Sequence, residues 1–324
     1  MTFRRVLRAW DRFLFRPISP LPIAVYRILF GTLILLDLLF LLPDLNRFFG
    51  DQGVLPMADA VRYFRAPGLN VLAWLPNRPA CLYAFFTVSL LAAASLTVGF
   101  FTRVSAVVVW VCLVTLHRRN PVIVTAGDAI LRLAAFYLIF SAAGRALSVD
   151  RRLRIRRGLE PRGEPAPAAP WAQRLIQIQL AVVYLATVYW KLQGKPWVDG
   201  TAVYYVTRLQ ELHRFPVPFL FDNLWTLKLM TWGTLAVEFA VGALVWFRKL
   251  RYPVLLAGVL LHLGLEYSMN IQLFQWIMLS AYVLFIDPCD VRRAIEWTRN
   301  RRRRNHRGNS DQVRETSHGT GTAT

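Results

Sequence analysis

The chain has 324 residues, of which 55% are hydrophobic and 18% are charged, and its mean hydropathy is +0.37. Soluble domains have about 45–50% apolar and about 25% charged residues, so the composition excludes an ordinary soluble protein. The net charge of +20 would suggest a nucleic-acid partner in a soluble chain. Here the arginines lie between long apolar runs, which predicts contact with a lipid bilayer and no nucleic-acid partner.

Residues 1–20 are basic and aromatic, a composition that predicts an interfacial helix. Eight apolar runs follow within residues 21–288, and each is interpreted as a membrane span of an all-α, polytopic integral membrane helical bundle. The predicted spans are 21–43, 80–101, 104–116, 127–147, 175–190, 229–247, 252–267 and 271–286. Residues 289–324 form a basic tail that we predict to be largely disordered, because it cannot bury apolar area.

Two long connectors, 44–79 and 192–227, are both predicted on the outer side of the membrane. Short amphipathic helices are predicted at 58–65 and 69–75 in the first connector, and helical periodicity marks residues 202–213 in the second.

The distribution of lysine and arginine predicts the orientation. Eight spans place both termini on one side, and basic residues are dense in both termini, in the turns 102–103 and 248–251, and in the linker 145–174. This pattern predicts a cell-membrane (plasma-membrane) protein with cytoplasmic N- and C-termini. Arg118 and Arg119 are the exception, since they fall on the outer side, where their role could be structural or functional.

Lys191 ends the fifth span at the predicted outer face, between tryptophans. A lysine at this place either snorkels to the headgroups or is a functional amine held where water is scarce. Glu238 falls near the middle of the sixth span, and Arg27 is interpreted as a packing or snorkelling residue.

Several other polar side chains fall at the depth of Lys191. Polar groups inside a bilayer face the bundle interior and pair with one another, so their shared depth predicts one polar cavity that opens outward. Asp128 and Arg132 are four residues apart, a spacing suited to an ion pair on one side of a helix. His262 and Glu266 are also four residues apart and share one helical face. The alternative is a buried hydrogen-bond network that fixes helix register. The other polar residues predicted at this depth are Asp37, Asn270 and Gln272.

Metal binding is not expected. Cys81, Cys112 and Cys289 form no CxxC pair, and the five histidines are scattered without an HExxH pattern. A protein site for a transition metal normally needs such clustered ligands.

Five segments resemble one family. Residues 191–200 and 269–274 (Met-Asn-Ile-Gln-Leu-Phe) are similar to segments of vitamin K-dependent gamma-carboxylase. Residues 25–31, 49–56 and 119–121 resemble its bacterial relatives, the horizontally transferred transmembrane (HTTM) domain proteins. The resemblance covers roughly residues 20–288. One departure is Gly127-Asp128, which stands near the position of an Asn-His pair in the carboxylase.

The resemblance implies an enzyme in which Lys191 acts as a base on a quinol at the outer leaflet. In the carboxylase, the matching lysine acts on vitamin K hydroquinone, whose oxygenation leads to deprotonation and carboxylation of a substrate glutamate. The implied cofactor is vitamin K hydroquinone or a menaquinol-like isoprenoid quinone, and the implied substrate is a secreted peptide or protein. The supporting residues would be Asp128, Arg132, His262, Glu266 and Asn270.

Two other classes of function remain open. The first is a non-enzymatic membrane protein that assists maturation, export or immunity for a secreted peptide. The second, a transporter, is less favoured, because the polar residues cluster on one side and no inverted repeat is visible.

Overall fold

The computed structural model describes residues 3–63, 68–212, 214–215, 222–298 and 300–301. It divides into two units, Met1–Phe285 and Ile286–Thr324. Within the described residues the chain is helical, apart from one isolated antiparallel bridge between Ile18 and Ala168. The predicted all-α class is confirmed.

The long helices of the first unit form the bundle, and the short helices lie in its connectors. Their bounds are α1 Phe3–Phe15, α2 Leu21–Leu41, α3 Leu45–Phe49, α4 Met57–Tyr63, α5 Val71–Trp74, α6 Pro79–Val98, α7 Thr102–Arg119, α8 Ala126–Phe140, α9 Val149–Arg156, α10 Trp171–Leu192, α11 Lys195–Val198, α12 Ala202–Val206, α13 Leu224–Phe239, α14 Arg251–Ser268 and α15 Phe274–Tyr282. The second unit contains α16, Pro288–Thr298.

A helix stands at each of the eight predicted span positions, but their lengths differ. Four segments are long and apolar enough to cross a membrane: Leu21–Phe49, Pro79–Val98, Trp171–Leu192 and Leu224–Leu244. The number rises to five if Phe274–Phe285 and Pro288–Thr298 are counted as one interrupted span. Because α8 has 15 residues and α15 has nine, both are shorter than the ~20 residues of a straight span, and the count of eight stays a prediction.

The long helices pack in two groups that meet where α8 contacts α10. In the first group α2 packs on α6, and α7 packs on both α6 and α8. In the second, α10 lies against α8, α13 and α15, and α14 contacts α13 and α15. The central position of α10 lets its polar residues meet side chains from several other helices.

The helix α1 is amphipathic and buries none of its residues. It contacts the start of α10, where the guanidinium of Arg174 lies 4.7 Å from the Phe13 ring centroid, and Phe13 also meets the ring of Trp246. An exposed helix with arginines on one face and aromatic side chains on the other is typical of the membrane–water interface.

Arg27 is fully buried and holds the loops at one end of the bundle. Its guanidinium donates hydrogen bonds to the carbonyl oxygens of Ala143 at 3.0 Å and Leu147 at 2.8 Å. A Cβ at Gly99 would lie 2.3 Å from Arg27 Nη1, so this turn requires a glycine. The packing interpretation of Arg27 fits these contacts, and snorkelling does not.

The same contacts correct the end of the fourth span. The predicted helix 127–147 ends at Phe140, and a short 3-10 turn follows at Ala143–Arg145. Arg27 binds the carbonyl of Ala143 in this turn and that of Leu147 just after it, and a continued helix would remove both acceptors.

Hydrogen bonds to loop carbonyls also account for Arg119, a basic residue that the sequence predicts on the outer side. It is buried and donates to the carbonyl oxygens of Phe49 and Leu55, both at 2.8 Å, while Asn120 Nδ2 donates to Phe48. These bonds fix the start of the first connector, so Arg119 has a structural role.

The short connector helices differ slightly from prediction. In the first connector α4 and α5 lie at the predicted places, and residues 64–67 fall outside the described residues. In the second connector the helix predicted for 202–213 ends at Val206. Turns follow it as far as Leu212, and His213 is also outside the described residues.

Candidate functional site

Lys191 forms an ion pair inside the bundle. Its Nζ lies 2.5 Å from Oε1 of Glu238 on α13, and the two side chains are only 20% and 10% exposed. The amine therefore meets a carboxylate, instead of snorkelling freely into water. The sequence had indicated Lys191 as a candidate site residue, whereas it had given Glu238 no role.

The directions of the two helices explain this meeting. Gly242, in the π-helical segment that continues α13, lies against Leu185 on α10, and Glu238 lies against Lys191. Residue numbers therefore rise on one helix as they fall on the other. Helical side chains tilt toward the N-terminus of their own helix. On antiparallel neighbours, Lys191 and Glu238 consequently lean toward each other.

Gly242 brings α10 and α13 close together. A Cβ at this position would lie 2.7 Å from Leu185 Cγ and 3.2 Å from the carbonyl oxygen of Ala181. It belongs to a π-helical segment, Ala240–Leu244, that directly follows the turn carrying Glu238. Such π-bulges occur often at functional sites, because they re-aim neighbouring side chains.

Trp197 covers the lysine amine on another side. The Nζ lies 4.5 Å from the centroid of the Trp197 ring, within the distance of a cation–π contact. The segment that carries Trp197 is fastened to α13, since Trp232 Nε1 donates to the carbonyl oxygen of Val198 at 3.2 Å. The second connector thus forms part of the lysine's surroundings.

A chain of buried hydrogen bonds runs beside the ion pair. Tyr184 on α10 lies 2.7 Å from the Tyr282 hydroxyl and 2.5 Å from His262 Nε2, and His262 Nδ1 lies 2.5 Å from Gln275 Oε1. The amide oxygen can only accept, so Nδ1 carries the proton and Nε2 accepts from Tyr184. The Tyr282 hydroxyl then donates to Tyr184, and the whole chain has one direction.

Gly258 makes room for this chain. A Cβ there would lie 2.4 Å from the Tyr282 hydroxyl oxygen, so only glycine permits the present approach of α14 and α15. The charge of Glu238 acts on the hydroxyls of Tyr184 and Tyr282, and that of Lys191 acts on His262. We call these six residues the Lys191 cluster: Lys191, Glu238, Tyr184, His262, Gln275 and Tyr282.

Two atoms of the Lys191 cluster keep unused hydrogen-bonding capacity. Within the described part of the chain, Glu238 Oε2 and Gln275 Nε2 are buried and have no hydrogen-bond partner. A buried polar atom without a partner costs roughly 1–3 kcal/mol, so it is a natural place for a bound donor or acceptor. The cluster thus offers one free acceptor and one free donor.

Asp128 and Arg132 belong to a different group. Asp128 forms a capping box with Thr125, accepting from the Thr125 N–H at 2.7 Å, and its other oxygen lies 3.8 Å from His117 Nε2. The ion pair predicted with Arg132 is absent from the described ion pairs, because the capping box turns the carboxylate back toward Thr125. Asp37 and Arg132 are close enough to act electrostatically on this group.

Glu266 and Asn270 hold the second connector. Arg214 Nη1 lies 2.6 Å from Glu266 Oε1, and the Asn270 backbone N–H donates to the carbonyl oxygen of Leu212 at 2.7 Å. Of the six predicted site residues, only Lys191 and His262 share one cluster. The described contacts therefore form three separate polar groups where the sequence predicted a single cavity.

Sequence reasoning missed four members of the Lys191 cluster. A usable signal existed for Glu238, since a carboxylate within an apolar run requires a cation or a donor close by. Tyr184 lies seven residues before Lys191, which places both on one helical face. Gln275 and Tyr282 lie in an apolar helix and gave no distinct signal.

Among the residues that the structure describes, no three histidine, cysteine, aspartate or glutamate side chains are grouped closely enough to hold a metal ion.

The HTTM domain family matches residues 15–289 of this chain. The chain belongs to the HTTM domain family. It is accordingly a helical membrane protein, and the family resemblance expected from its sequence is confirmed.

Two Bacillus subtilis (strain 168) proteins are similar to part of the chain. "Uncharacterized protein YitO" is 28% identical over 123 residues, 36% of this chain and 39% of the relative. "Sporulation-delaying protein SdpB" is 28% identical over 130 residues, 38% of this chain and 40% of the relative. The chain therefore spans about two fifths of the length of these curated relatives. No solved structure matches it.

Proposed function

We propose that this HTTM protein is a membrane enzyme in which Lys191 acts as a base on a quinone-like or peptide substrate at the outer leaflet. The observation that carries the proposal is the 2.5 Å contact between Lys191 Nζ and Glu238 Oε1 in a largely buried place. Ionisable residues inside membrane segments that pair with one another in the bundle interior often mark functional sites.

The pair can supply a neutral amine without creating a net charge. A protonated lysine cannot act as a base, but Glu238 lies within hydrogen-bonding distance of Nζ and can take its proton. In surroundings of low polarity, this transfer removes both charges of the ion pair and with them the cost of keeping charged groups away from water. Lys191 would then accept a proton from substrate, and Glu238 is the residue that positions the amine and receives its proton.

A hydroquinone fits the residues present. Glu238 Oε2 is a buried acceptor without a partner among the described residues, and it stands next to the Lys191 amine. A ring hydroxyl of vitamin K hydroquinone or menaquinol could donate its proton to the neutral Lys191 amine. Glu238 Oε2 remains an acceptor after Oε1 has taken the lysine proton, and it could hold the same ring in place. When bound there, the quinol would supply the electrons for reaction with oxygen.

The test is the isoprenoid quinone that copurifies with the protein. Lipid extracts of wild type, Lys191→Met and the matched control Lys195→Met are compared by mass spectrometry. Lys195 is an exposed lysine four residues away, so its replacement changes the same charge outside the cluster. We expect wild type and the control to carry quinone and Lys191→Met to lose most of it. Equal quinone in all three proteins, with unchanged folding, would rule out the assignment.

A second function is favoured by a different observation. The Lys191 cluster joins α10, α13, α14 and α15 through an ion pair and three hydrogen bonds, as a network that fixes helix register would. The chain would then be a non-enzymatic membrane protein that assists maturation, export or immunity for a secreted peptide. This function would be supported if a stable Lys191→Met protein kept full cellular function while changes in the connectors 44–79 or 192–227 abolished it.

We further propose eight spans, cytoplasmic N- and C-termini and a plasma-membrane location. This proposal is supported by the concentration of arginine in the linker 145–174 and in the turns 102–103 and 248–251. The exposed amphipathic helix α1 agrees with it.

A further inference from the structure

A large open cavity lies at the end of the bundle where α6 turns into α7. Its volume is about 910 Å³, within the roughly 300–1,000 Å³ range of ligand sites. The α6–α7 turn, the end of α8, the linker helix α9 and the start of α10 form its walls. The Lys191 cluster is built from other residues, so this cavity is a separate feature.

Four arginines line the cavity: Arg103, Arg145, Arg154 and Arg157. Arg103, Arg145 and Arg157 are exposed, and no ion pair is described for them within the ranges that the structure covers. Arg154 is already bonded to Glu160 at 3.1 Å and to the carbonyl oxygen of Gly144 at 3.3 Å. Three guanidinium groups thus remain available to an anion.

The two carboxylates in the cavity wall are already occupied. Asp150 accepts from the backbone N–H groups of Phe101 and Thr102, both at 2.8 Å, and from the Thr102 hydroxyl at 2.7 Å. Glu160 binds Arg151 and Arg154. The cavity wall holds four arginines against these two carboxylates, a net formal charge of +2 (4 − 2), so the cavity presents positive charge.

Exposed apolar side chains stand directly beside these arginines. Phe101 is 63% exposed, Val104 60% and Leu159 73%, and the Phe140 and Trp171 rings pack 5.8 Å apart in the same wall. A small soluble anion would make no contact with these apolar side chains. Arginine beside exposed aliphatic and aromatic groups matches the headgroup and upper acyl region of a phospholipid.

We propose that this cavity binds the phosphate headgroup of an anionic phospholipid from the adjoining leaflet. Arg103, Arg145 and Arg157 hold the phosphate by charge-assisted hydrogen bonds, which guanidinium groups form with particular geometric fit. The acyl chains lie along Phe101 and Val104. A second argument for a lipid is that the apolar wall of the cavity continues along the exposed surface of α7, from Val104 to Val107.

The experiment is native mass spectrometry of the full chain in detergent, titrated with phosphatidylglycerol or phosphatidylcholine. The test variant is Arg103→Gln/Arg145→Gln/Arg157→Gln. The matched control is Arg152→Gln/Arg156→Gln/Arg162→Gln, which removes the same charge from exposed arginines outside the cavity wall. A parallel arm adds inorganic phosphate or glycerol phosphate as competitor.

We expect wild type and the control to retain phosphatidylglycerol in preference to phosphatidylcholine. The cavity variant should bind phosphatidylglycerol at least about tenfold more weakly, because each arginine near an anionic lipid contributes separately to attraction. The single variant Arg157→Gln should lose about threefold or more, and it keeps the test usable if the triple variant unfolds.

Three results would overturn the proposal. Equal retention of the two lipids would remove the selectivity for anionic headgroups. An equal loss in the cavity variant and the control would indicate general charge attraction. Complete displacement of phosphatidylglycerol by millimolar phosphate would identify a soluble-phosphate site instead of a lipid site.

Discussion

Single charged residues hold this protein together at places where the chain leaves its helices. Arg27 binds loop carbonyls at one end of the bundle, and Arg119 binds those of the first connector. A buried guanidinium without such acceptors would be strongly unfavourable. These arginines therefore act as fixed points on which two loops are built, and neither is free for chemistry.

Glu160 gives the linker a dependence on pH. Partial burial raises the pKa of Glu160, but hydrogen bonds from Arg151 and Arg154 and their charges outweigh this and lower the pKa below the ordinary value. A lowered carboxylate pKa stabilises the fold above the ordinary pKa, and this stabilisation is lost as pH falls through the folded-state pKa.

We therefore predict that the linker loosens in acid, below about pH 4.5, where an ordinary glutamate becomes protonated. Thermal unfolding and limited proteolysis between pH 7 and pH 3 should show a smaller acid-induced loss in Glu160→Gln than in wild type. Glu296→Gln, at an exposed glutamate, is the control and should show the same acid-induced loss as wild type. Identical acid profiles for wild type and Glu160→Gln would contradict the prediction.

Lys191 and Glu238 could each be noticed in the sequence, whereas their pairing could not be predicted. A lysine that ends an apolar run between tryptophans stands out in the residue pattern. Pairing Glu238 with it requires the depth of α13, and the predicted span began at residue 229 while the helix begins at Leu224. The π-helical segment Ala240–Leu244 also shifts the helical phase, which residue periodicity does not reveal.

At the scale of helices, Gly242 sets the distance between α10 and α13. We predict that Gly242→Val lowers the free energy of unfolding by about 1–3 kcal/mol, because the new side chain would meet Leu185 and the Ala181 carbonyl. The same change should separate Lys191 from Glu238 and reduce any function that depends on the pair. Thermal or denaturant unfolding measures the first effect.

Gly233 provides the matched control on the same helix. A Cβ at Gly233 meets nothing within 4 Å, so Gly233→Val introduces the same side chain without a clash. Its stability should stay near that of wild type. Equal destabilisation by the two substitutions would mean that helix propensity, and not close packing, explains the effect.

Helix existence followed from apolar periodicity, but helix ends depended on tertiary contacts. The predicted fourth span ran to residue 147, whereas α8 ends at Phe140 because Arg27 binds carbonyls of the loop that follows, those of Ala143 and Leu147. The predicted start of the fifth span, residue 175, missed the first turn of α10 from Trp171. In that turn Gln173 donates to the distant Leu284 carbonyl, a contact without a local signal.

At the scale of the whole molecule, one polar cavity was predicted and three polar groups were found. Depth in the bilayer can be predicted from residue order, but position around the bundle depends on which helices are neighbours. Lys191 and His262 share a cluster because α10 and α14 both face α15. Asp128 lies on α8, where its nearest partners are Thr125 and His117.

The eight-span topology makes a prediction about accessibility from outside the cell. In a Cys81→Ala background, a membrane-impermeant maleimide should label Gln52→Cys in intact cells. It should label Ala166→Cys and the native, exposed Cys289 only after lysis. Gln52 lies in the first connector and Ala166 in the arginine-rich linker, so the two sites report opposite faces. Labelling of Ala166→Cys in intact cells would contradict the topology.

The central claim is that Lys191 and Glu238 depend on each other inside the bundle. The most direct measurement is a double-mutant cycle of unfolding free energies with Lys191→Met, Glu238→Gln and the double variant. Breaking a fully buried pair costs about 3–5 kcal/mol, and because Lys191 is 20% exposed we expect about 2 kcal/mol for each single change.

The double variant should lose less than the sum of the single losses, with a coupling of at least about 1 kcal/mol. A parallel cycle with Lys195→Met in place of Lys191→Met should show no coupling to Glu238→Gln. Strictly additive effects of Lys191→Met and Glu238→Gln would show that the two side chains do not interact, and the proposed site would lose its foundation.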